Sequence, residues 1–317
     1  MITLDAIKEA REAIRSFVIK TPILSYGLED ADNQIFLKAE HLQKTNSFKI
    51  RGATNKLLKE VQNGAMHAVT ASSGNHGQAV AYNAFQLGIK ATIVTPTNVV
   101  LPKLQAIQKF NGKIELCGTT SEERIAHAQS LTLEKGTVFV HPYDDWDIIA
   151  GQGTIGLEVL DQVSGLDAVY VPIGGGGLIS GIAAAIKESN PRIKVIGAEP
   201  ELANDTFLSL QQGTRRSIGE TTTIADGLRT SIPGEKTFPI VQKYVDEVIL
   251  VSENQIQDAF TWSLTKMKQL IEPSSAVAVA AALRHPKRKE KVLAVVSGGN
   301  VDPQSISQYL NLRQIQF

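Results

Sequence analysis

Short apolar segments alternate with amphipathic segments along most of the chain. Residues 4–17 repeat apolar residues at helical spacing, and Thr21-Pro22 ends this helix because proline disfavours helical conformation in the residue before it. Apolar runs rich in β-branched residues predict strands over 35–39, 68–71, 91–95, 113–117, 137–141, 168–173, 194–198, 245–251 and 291–296. Helical periodicity predicts further helices over 53–61, 78–86, 103–110, 122–134, 151–163, 178–188, 253–266 and 274–283.

Strands that alternate with helices of this length predict an α/β fold with parallel sheets and helices on both faces. The segment 204–236 is polar and carries no predicted element. We predict that a small domain, 67–144, is inserted in a larger domain formed by 1–57 and 145–317. Because the chain would then pass twice between the domains, a site is expected in the crevice between them.

Composition narrows the class of protein. The chain has 317 residues, of which 43% are hydrophobic, and its Lys plus Arg and Asp plus Glu totals are both 32, so its net charge is zero. This balance argues against nucleic acid or an anionic membrane as the main partner, since both favour a basic excess. Cys117 is the only cysteine, and no run of about 18 apolar residues or signal-peptide start is present. We therefore expect a soluble, cytoplasmic protein.

Lys49 is the first candidate for chemistry. Phe48 and Ile50 flank it, and partial desolvation by such neighbours favours the neutral, nucleophilic amine that forms Schiff bases. Most lysines are nevertheless solvated surface charges, so Lys49 alone is weak support. Three turns rich in glycine or serine follow apolar runs further along the chain: Ser72-Ser73-Gly74-Asn75-His76-Gly77, Gly174-Gly175-Gly176-Gly177 and Ser297-Gly298-Gly299-Asn300.

The four-glycine turn lies between a predicted strand and a predicted helix. Without Cβ atoms its backbone can approach a phosphate, and the helix dipole adds favourable charge. A Walker P-loop is excluded because no Gly-Lys-Ser/Thr follows. A dinucleotide site remains open, since Gly175-x-Gly177-x-x-Ser180 nearly matches that fingerprint and Glu199 ends the next strand. Tight packing of helix on strand is the plainer alternative.

The other two turns are ambiguous on their own. The N–H groups and hydroxyls of the Ser72 turn suit a carboxylate, and Asn75 can donate to a phenolic oxygen, but an ordinary capped helix has the same composition. His76 alone is more typical of a structural histidine than of a base. Ser297, at a strand end, suits a hydrogen bond to a ring nitrogen, although a glycine turn before Asp302-Pro303 explains it equally well.

The order and spacing of these elements together resemble the pyridoxal-phosphate (PLP) enzymes of fold type II, specifically the serine/threonine dehydratase and serine racemase group. The resemblance covers nearly the whole chain and includes Thr21-Pro22, Leu37-Lys38-Ala39-Glu40, Ser47-Phe48-Lys49-Ile50-Arg51-Gly52-Ala53, the three turns, Ala150-Gly151-Gln152-Gly153-Thr154 and Ile271-Glu272-Pro273. It implies a tryptophan-synthase-β-like fold of two open, twisted, mostly parallel sheet domains with the site between them. It also implies a homodimer. A dinucleotide site would leave Lys49 and the last turn unexplained.

The resemblance also implies how the cofactor is held. Lys49 would form the Schiff base with its aldehyde, Phe48 would flank the pyridine ring, and Asn75 would bond the 3′-oxygen. Ser297 would face the pyridine nitrogen, where a neutral hydroxyl leaves a weaker electron sink than an aspartate, which suits prompt loss of a β-hydroxyl. The 5′-phosphate would be held by Gly174, Gly175, Gly176 and Gly177.

For the substrate, the resemblance implies deaminating dehydration of L-serine and L-threonine to 2-oxo acids and ammonia. Arg124 would lie near a substrate carboxylate that is held by Ser72, Ser73, Gly74, Asn75 and His76. Lys49 would take the Cα proton, and Ser73 on the opposite face would add serine racemisation; alternatively Ser73 only holds the carboxylate. Tyr143 is more typical of bacterial threonine dehydratases than of animal racemases.

Other functions stay open. The chain could be primarily a serine racemase or a 3-hydroxyaspartate ammonia-lyase, more remotely a β-replacing synthase, or a PLP-binding protein without turnover. Residues 199–205 resemble the family's divalent-cation site, in which Glu199 and Asp205 would give carboxylates and Ala203 a backbone carbonyl. Such hard oxygen donors suit Mg²⁺, Ca²⁺ or Mn²⁺ in a structural or activating role. The alternative is a solvated acidic turn.

Overall fold

The computed structural model describes residues 1–26, 34–72, 74–97, 99, 101–118, 121–286 and 289–311. The strands are β1 (Ile23–Tyr26), β2 (Gln34–Ala39), β3 (His67–Ala71), β4 (Lys90–Thr95), β5 (Lys113–Leu116), β6 (Thr137–Phe139), β7 (Ala168–Pro172), β8 (Lys194–Pro200), β9 (Glu247–Val251) and β10 (Lys291–Val296). The α-helices are α1 (Leu4–Ile14), α2 (Lys49–Gln62), α3 (Asn75–Leu87), α4 (Leu101–Gln108), α5 (Ser121–Ser130), α6 (Trp146–Gln162), α7 (Gly177–Ser189), α8 (Asp205–Gln212), α9 (Thr237–Tyr244), α10 (Glu253–Thr265), α11 (Pro273–Leu283) and α12 (Ile306–Tyr309). Short 3₁₀ segments occur at Glu40–Leu42, Leu131–Leu133, Asp226–Leu228 and Pro303–Ser305.

The larger sheet has six strands in the order β1-β2-β10-β7-β8-β9. Its pairs are parallel except β1 with β2, which is antiparallel. The central strand β10 reads Lys-Val-Leu-Ala-Val-Val, a nearly continuous apolar run that is typical of a strand buried on both faces. Its end at Val296 aligns with Ala39 of β2, so Ser297 emerges close to the segment that leads into α2.

Helices cover both faces of this sheet. Val169 and Val171 of β7 point to a core that is shared with α1, α6, α7 and α9, while Tyr170 points to a core shared with α10 and α11. This alternation follows from the two-residue period of a strand. Helices α6 and α7 approach closely because Gly181 has no side chain: a Cβ there would lie 2.4 Å from the backbone nitrogen of Gly153.

The smaller sheet has four parallel strands in the order β5-β4-β3-β6. All of them come from one continuous part of the chain, and α2 packs against both α3 and α6, the helices that flank the two sheets. This arrangement supports an inserted domain over 67–144, although the domain boundaries themselves stay a prediction.

The predicted elements are present, with differences at their ends, and further elements occur that were not predicted. Strand β10 begins and ends where the sequence predicts, but α6 begins at Trp146, not 151, because the Asp145 side chain accepts hydrogen bonds from the first turn. The short strand β1 and the helix α9 were not predicted. The expectation that 204–236 lacks regular structure is wrong for α8. The buried residues of this helix are polar, so no apolar periodicity marks it. Among the helices that the structure describes, none combines the length and apolar character needed to cross a bilayer.

Candidate active site

A cavity of about 680 Å³ lies where the carboxyl ends of strands from both sheets face each other. It brings together Lys49 and all three turns that the sequence singles out, as expected for a site in the crevice. Ser73 lies outside the described residues. The other predicted site residues that line the cavity are Phe48, Lys49, Ser72, Gly74, Asn75, His76, Arg124, Gly174, Gly175, Gly176, Gly177 and Ser297.

Lys49 is the first residue of α2 and is partly buried. Its Nζ donates a hydrogen bond to the Pro142 carbonyl at 2.7 Å and lies 5.2 Å from the centroid of the Phe48 ring. Burial lowers the pKa of Lys49 to about 8, against the opposing effect of the Glu272 carboxylate. A much larger fraction of this amine is therefore neutral near neutral pH than for an ordinary lysine, as Schiff-base formation requires.

Arg51, two residues later, lies in a closed network of charges behind the cavity. Its guanidinium donates to both oxygens of Glu40 at 2.8 Å and to Glu158 at 2.7 and 2.9 Å. Lys38 donates to Glu158 at 2.6 Å, so two cations face two carboxylates. Burial opposes the ionisation of Glu40, but Arg51 outweighs it and holds the pKa of this carboxyl below its usual value. The network fixes the start of α2, and thereby the backbone of Lys49.

The four glycines form the turn between β7 and α7. Gly176 has a φ of +87°, and a Cβ on Gly175 would lie 2.4 Å from the Tyr143 ring, so both positions require glycine. Within the described residues, the backbone N–H groups of Gly174, Gly175 and Gly176 donate to no protein atom. Together with the N-terminus of α7 they form a site suited to an anion such as a phosphate.

Asn75 begins α3, and its amide has a fixed orientation. Its Nδ2 donates to the two oxygens of Glu272 at 2.8 and 3.0 Å, while its Oδ1 accepts from Nδ2 of Asn300 at 2.7 Å. Asn300 thus holds the donor end of Asn75 towards Glu272. A donor is what the predicted contact with a phenolic oxygen requires.

His76 is buried and neutral. Its Nε2 donates to the Val140 carbonyl at 3.1 Å, and burial, with the nearby charge of Lys49, lowers the pKa of His76 to about 3. The ring therefore cannot supply a positive charge for a substrate carboxylate. The hydrogen bond to Val140 favours the structural interpretation of this histidine, and its predicted contact with substrate stays a prediction.

Ser297 lines the cavity directly after the carboxyl end of β10 and is 3% exposed. Its Oγ lies 3.0 Å from Oγ of Ser275, and its carbonyl accepts from the Phe48 backbone N–H at 2.9 Å. The hydroxyl is thus held next to the segment that carries Lys49. On the opposite side of the cavity, Arg124 projects from α5 beside the smaller sheet.

Glu199 and Asp205 form a separate acidic pair, and both are fully buried. Glu199 accepts from the backbone N–H groups of Thr206 and Phe207 at 3.0 and 2.8 Å, whereas Oδ2 of Asp205 has no partner among the described residues. Burial, with the charge of Asp205, raises the pKa of Glu199 to about 8, and burial raises the pKa of Asp205 to about 7. The alternative of a solvated acidic turn is wrong for these two side chains.

The acidic pair fits a divalent cation. The two carboxyls are buried, and one oxygen of Asp205 has no partner among the described residues. A bound cation would favour their ionised forms, and oxygen donors suit Mg²⁺ or Ca²⁺. No group of three or more His, Cys, Asp or Glu side chains suited to a metal occurs in the described part of the chain. A site here would therefore need a backbone oxygen, such as the predicted carbonyl of Ala203, besides the two carboxylates.

Sequence reasoning assigned no role to several residues that shape the cavity. Glu272 and Asn300 belong to motifs quoted above, but their contacts with Asn75 span 197 and 225 residues. The Pro142 carbonyl is a backbone group and leaves no mark in the sequence. Such contacts arise only when the two sheets come together.

Residues 14–298 match the family model described as "Pyridoxal-phosphate dependent enzyme". The chain belongs to this family. It is 42% identical over 322 residues to a serine racemase of Dictyostelium discoideum, covering 98% of both chains. It is also 42% identical to an L-threonine ammonia-lyase of Thermotoga maritima, covering 98% of this chain and 79% of the relative. Among solved structures, a maize serine racemase is similar with a TM-score of 0.92 and 39% identity, covering 97% of this chain and 96% of that one. The predicted fold type II architecture is confirmed.

Proposed function

We propose that this PLP enzyme dehydrates and deaminates L-serine and L-threonine to pyruvate and 2-oxobutanoate, with release of ammonia, and that it also racemises serine. The observation that carries the proposal is the position of Lys49, whose amine has a lowered pKa and faces the same cavity as the free N–H groups of the four-glycine turn. The serine racemase and threonine ammonia-lyase names of the relatives support the choice of substrates.

The residues of the cavity fit the cofactor. Lys49 would be the amine that binds its aldehyde, and Gly174 to Gly177 would hold its phosphate. Asn75 and Ser297 would contact the 3′-oxygen and the ring nitrogen, and Phe48 would flank the ring. When bound, the cofactor supplies an electron sink that stabilises negative charge at the substrate Cα.

The remaining chemistry belongs to side chains of this protein. The released Lys49 amine takes the Cα proton as general base, and the Pro142 carbonyl 2.7 Å away accepts a hydrogen bond from the resulting ammonium. The same ammonium can return a proton to the leaving β-hydroxyl. Ser72, Gly74 and the N-terminus of α3 bind the substrate carboxylate, because the Ser72 hydroxyl can donate a hydrogen bond and the helix dipole favours an anion there. Arg124 adds a positive charge near it.

Racemisation needs a second proton donor on the face opposite Lys49, and Ser73 is our candidate. The serine racemases among the relatives favour this second activity. Primary serine racemisation and 3-hydroxyaspartate ammonia-lyase activity are the alternatives, because a single methyl or carboxylate changes the fit of a pocket by only a few kcal/mol.

Chiral product analysis of the purified holoenzyme tests the proposal. With L-serine we expect pyruvate, ammonia and some D-serine, and with L-threonine 2-oxobutanoate. Ser73→Ala should keep elimination from L-serine and lose D-serine formation, with Ser73→Thr as the variant that keeps a hydroxyl. If the holoenzyme forms no product from either of these hydroxyamino acids, the proposed activity is wrong. If Ser73→Ala makes as much D-serine as the parent, the activity stands and only the proposed role of Ser73 is wrong.

We further propose that Mg²⁺, or Ca²⁺ or Mn²⁺ in its place, binds Glu199, Asp205 and the carbonyl of Ala203 and braces the larger domain without entering the reaction. Two observations support this site: both carboxyls are buried with raised pKa values, and Oδ2 of Asp205 has no partner among the described residues. We also keep the homodimer and the cytoplasmic location as proposals, which rest on the family resemblance and on the composition of the chain.

A further inference from the structure

Thr237 begins α9 directly behind the four-glycine turn and is fully buried. Its Oγ1 donates a hydrogen bond to the Gly175 carbonyl at 2.8 Å. A Cβ on Gly176 would lie 2.8 Å from the same Oγ1, so the turn rests directly on this side chain. Thr237 does not line the cavity, and it therefore contacts the turn from the far side.

The contact fixes the direction of one peptide group. In a planar trans peptide, the carbonyl of Gly175 and the N–H of Gly176 point in opposite directions. Since the carbonyl is held by Thr237 behind the turn, the N–H of Gly176 points to the cavity side, where it has no protein partner among the described residues. Glycine at 176 tolerates a peptide flip better than any other residue, so without the hydroxyl this peptide could turn over.

Thr237 is itself held in place by Asp144. The Asp144 carboxylate accepts from the backbone N–H groups of Glu235, Lys236 and Thr237 at 3.0, 2.8 and 3.2 Å. Asp144 follows Tyr143, whose ring packs against Gly175. One short segment thus supports the start of α9 and the turn together.

We propose that Thr237 is a positioning residue for the cofactor phosphate: its hydroxyl holds the Gly175–Gly176 peptide so that the Gly176 N–H faces the phosphate. The inference rests on the proposed role of the four-glycine turn. Thr237 touches neither cofactor nor substrate. Loss of one well-aimed hydrogen bond to a charged phosphate weakens binding by about tenfold or more.

The test compares two ligands in cofactor-free protein: pyridoxal 5′-phosphate and pyridoxal, which has the same ring and aldehyde but no phosphate. Thr237→Val removes the hydroxyl at nearly constant shape, and Thr237→Ser keeps it. We expect Thr237→Val to weaken PLP binding about tenfold or more with pyridoxal affinity unchanged, and Thr237→Ser to bind PLP nearly as the parent does. Should the valine variant not fold, Thr237→Ala permits the same comparison of ligands.

Two results overturn the inference. Equal weakening of both ligands in Thr237→Val would mean that the side chain only supports the cavity as a whole, and unchanged PLP affinity would mean that the hydroxyl does not position the turn. A different result would remove its basis: if the parent binds PLP no more tightly than pyridoxal, the turn does not hold the phosphate at all, and both the proposed role of the turn and this inference fail.

Discussion

Lys49 and Arg51 lie two residues apart on the first turn of α2, yet their surroundings are opposite in kind. Arg51 is fully buried, and its guanidinium donates to two carboxylates and to the Thr154 hydroxyl. Lys49 faces the cavity, and among the described residues its hydrogen-bond acceptor is the backbone carbonyl of Pro142. The charge of Arg51 is balanced by protein carboxylates, whereas the amine of Lys49 faces space that a ligand can occupy.

Residues that stabilise the fold thus differ from residues that bind ligands or react. The network of Lys38, Glu40, Arg51 and Glu158 balances its charges, whereas the cavity presents a lysine of lowered pKa and free N–H groups. The acidic pair of Glu199 and Asp205 resembles the cavity, because Oδ2 of Asp205 is buried and has no partner among the described residues. Places where polar groups lack protein partners are therefore the places to look for ligands.

The largest effect is expected for Lys49→Ala. The variant loses the amine that binds the aldehyde and takes the Cα proton, so we expect kcat for serine elimination to fall by about 10³-fold or more. It should also be colourless after purification. Because Lys49 has no part in the closed network, denaturation by urea should show nearly parental stability. Parental turnover by this variant would contradict the assignment.

Arg51→Met should give the converse result, a loss of stability. The change leaves Glu40 and Glu158 buried with one cation, and removal of one partner from a buried ion network costs about 3–5 kcal/mol. Urea denaturation of the cofactor-free protein measures this cost without interference from ligand binding. Arg11→Met is a suitable control, because Arg11 forms its ion pair with Asp161 at the surface. Equal stability of the two variants would show that the network does not hold the fold.

A smaller effect is expected from Mg²⁺, and it should depend on pH. Because the raised pKa values of Glu199 and Asp205 exceed those of the unfolded chain, the metal-free protein should lose stability as pH rises from about 5 through 8, where both carboxyls ionise. A cation favours the ionised forms, so Mg²⁺ should stabilise the protein more at pH 8 than at pH 6. At pH 8 the stabilisation should be about 2.7 kcal/mol when Mg²⁺ is present at a hundredfold excess over its Kd.

Thermal unfolding in Mg²⁺ and in EDTA measures this difference. Asp205→Asn should abolish it, while Glu201→Gln changes an exposed carboxylate on the same turn and should preserve it. A stabilisation by Mg²⁺ that survives in Asp205→Asn would place the cation elsewhere.

The sequence predicts those parts of the fold and site that depend on local patterns. Strand β10 follows from its apolar run, and the four-glycine turn follows from the need for glycine where backbone approaches a side chain or adopts positive φ. Helix α8 escapes prediction because Asp205, Thr206 and Ser209 face inward, so its buried side is polar.

Contacts between distant parts of the chain could not be predicted from single positions. The bond from Asn75 to Glu272 and that from Thr237 to Gly175 depend on how helices and sheets pack, since no local pattern links residues so far apart. Lys38 is a charged residue within the otherwise mostly apolar strand β2, but its partner Glu158 lies 120 residues further along the chain and is found only in the folded protein.

Reduction of the holoenzyme with borohydride, followed by peptide mapping, identifies the lysine that binds the cofactor. The reagent makes the bond between lysine and cofactor permanent, so the mass of the cofactor marks the residue that held it. We predict that the added mass lies on Lys49 alone. Cofactor mass on another lysine would show that Lys49 does not form the Schiff base. So would protein that was yellow before reduction but retains no cofactor after it.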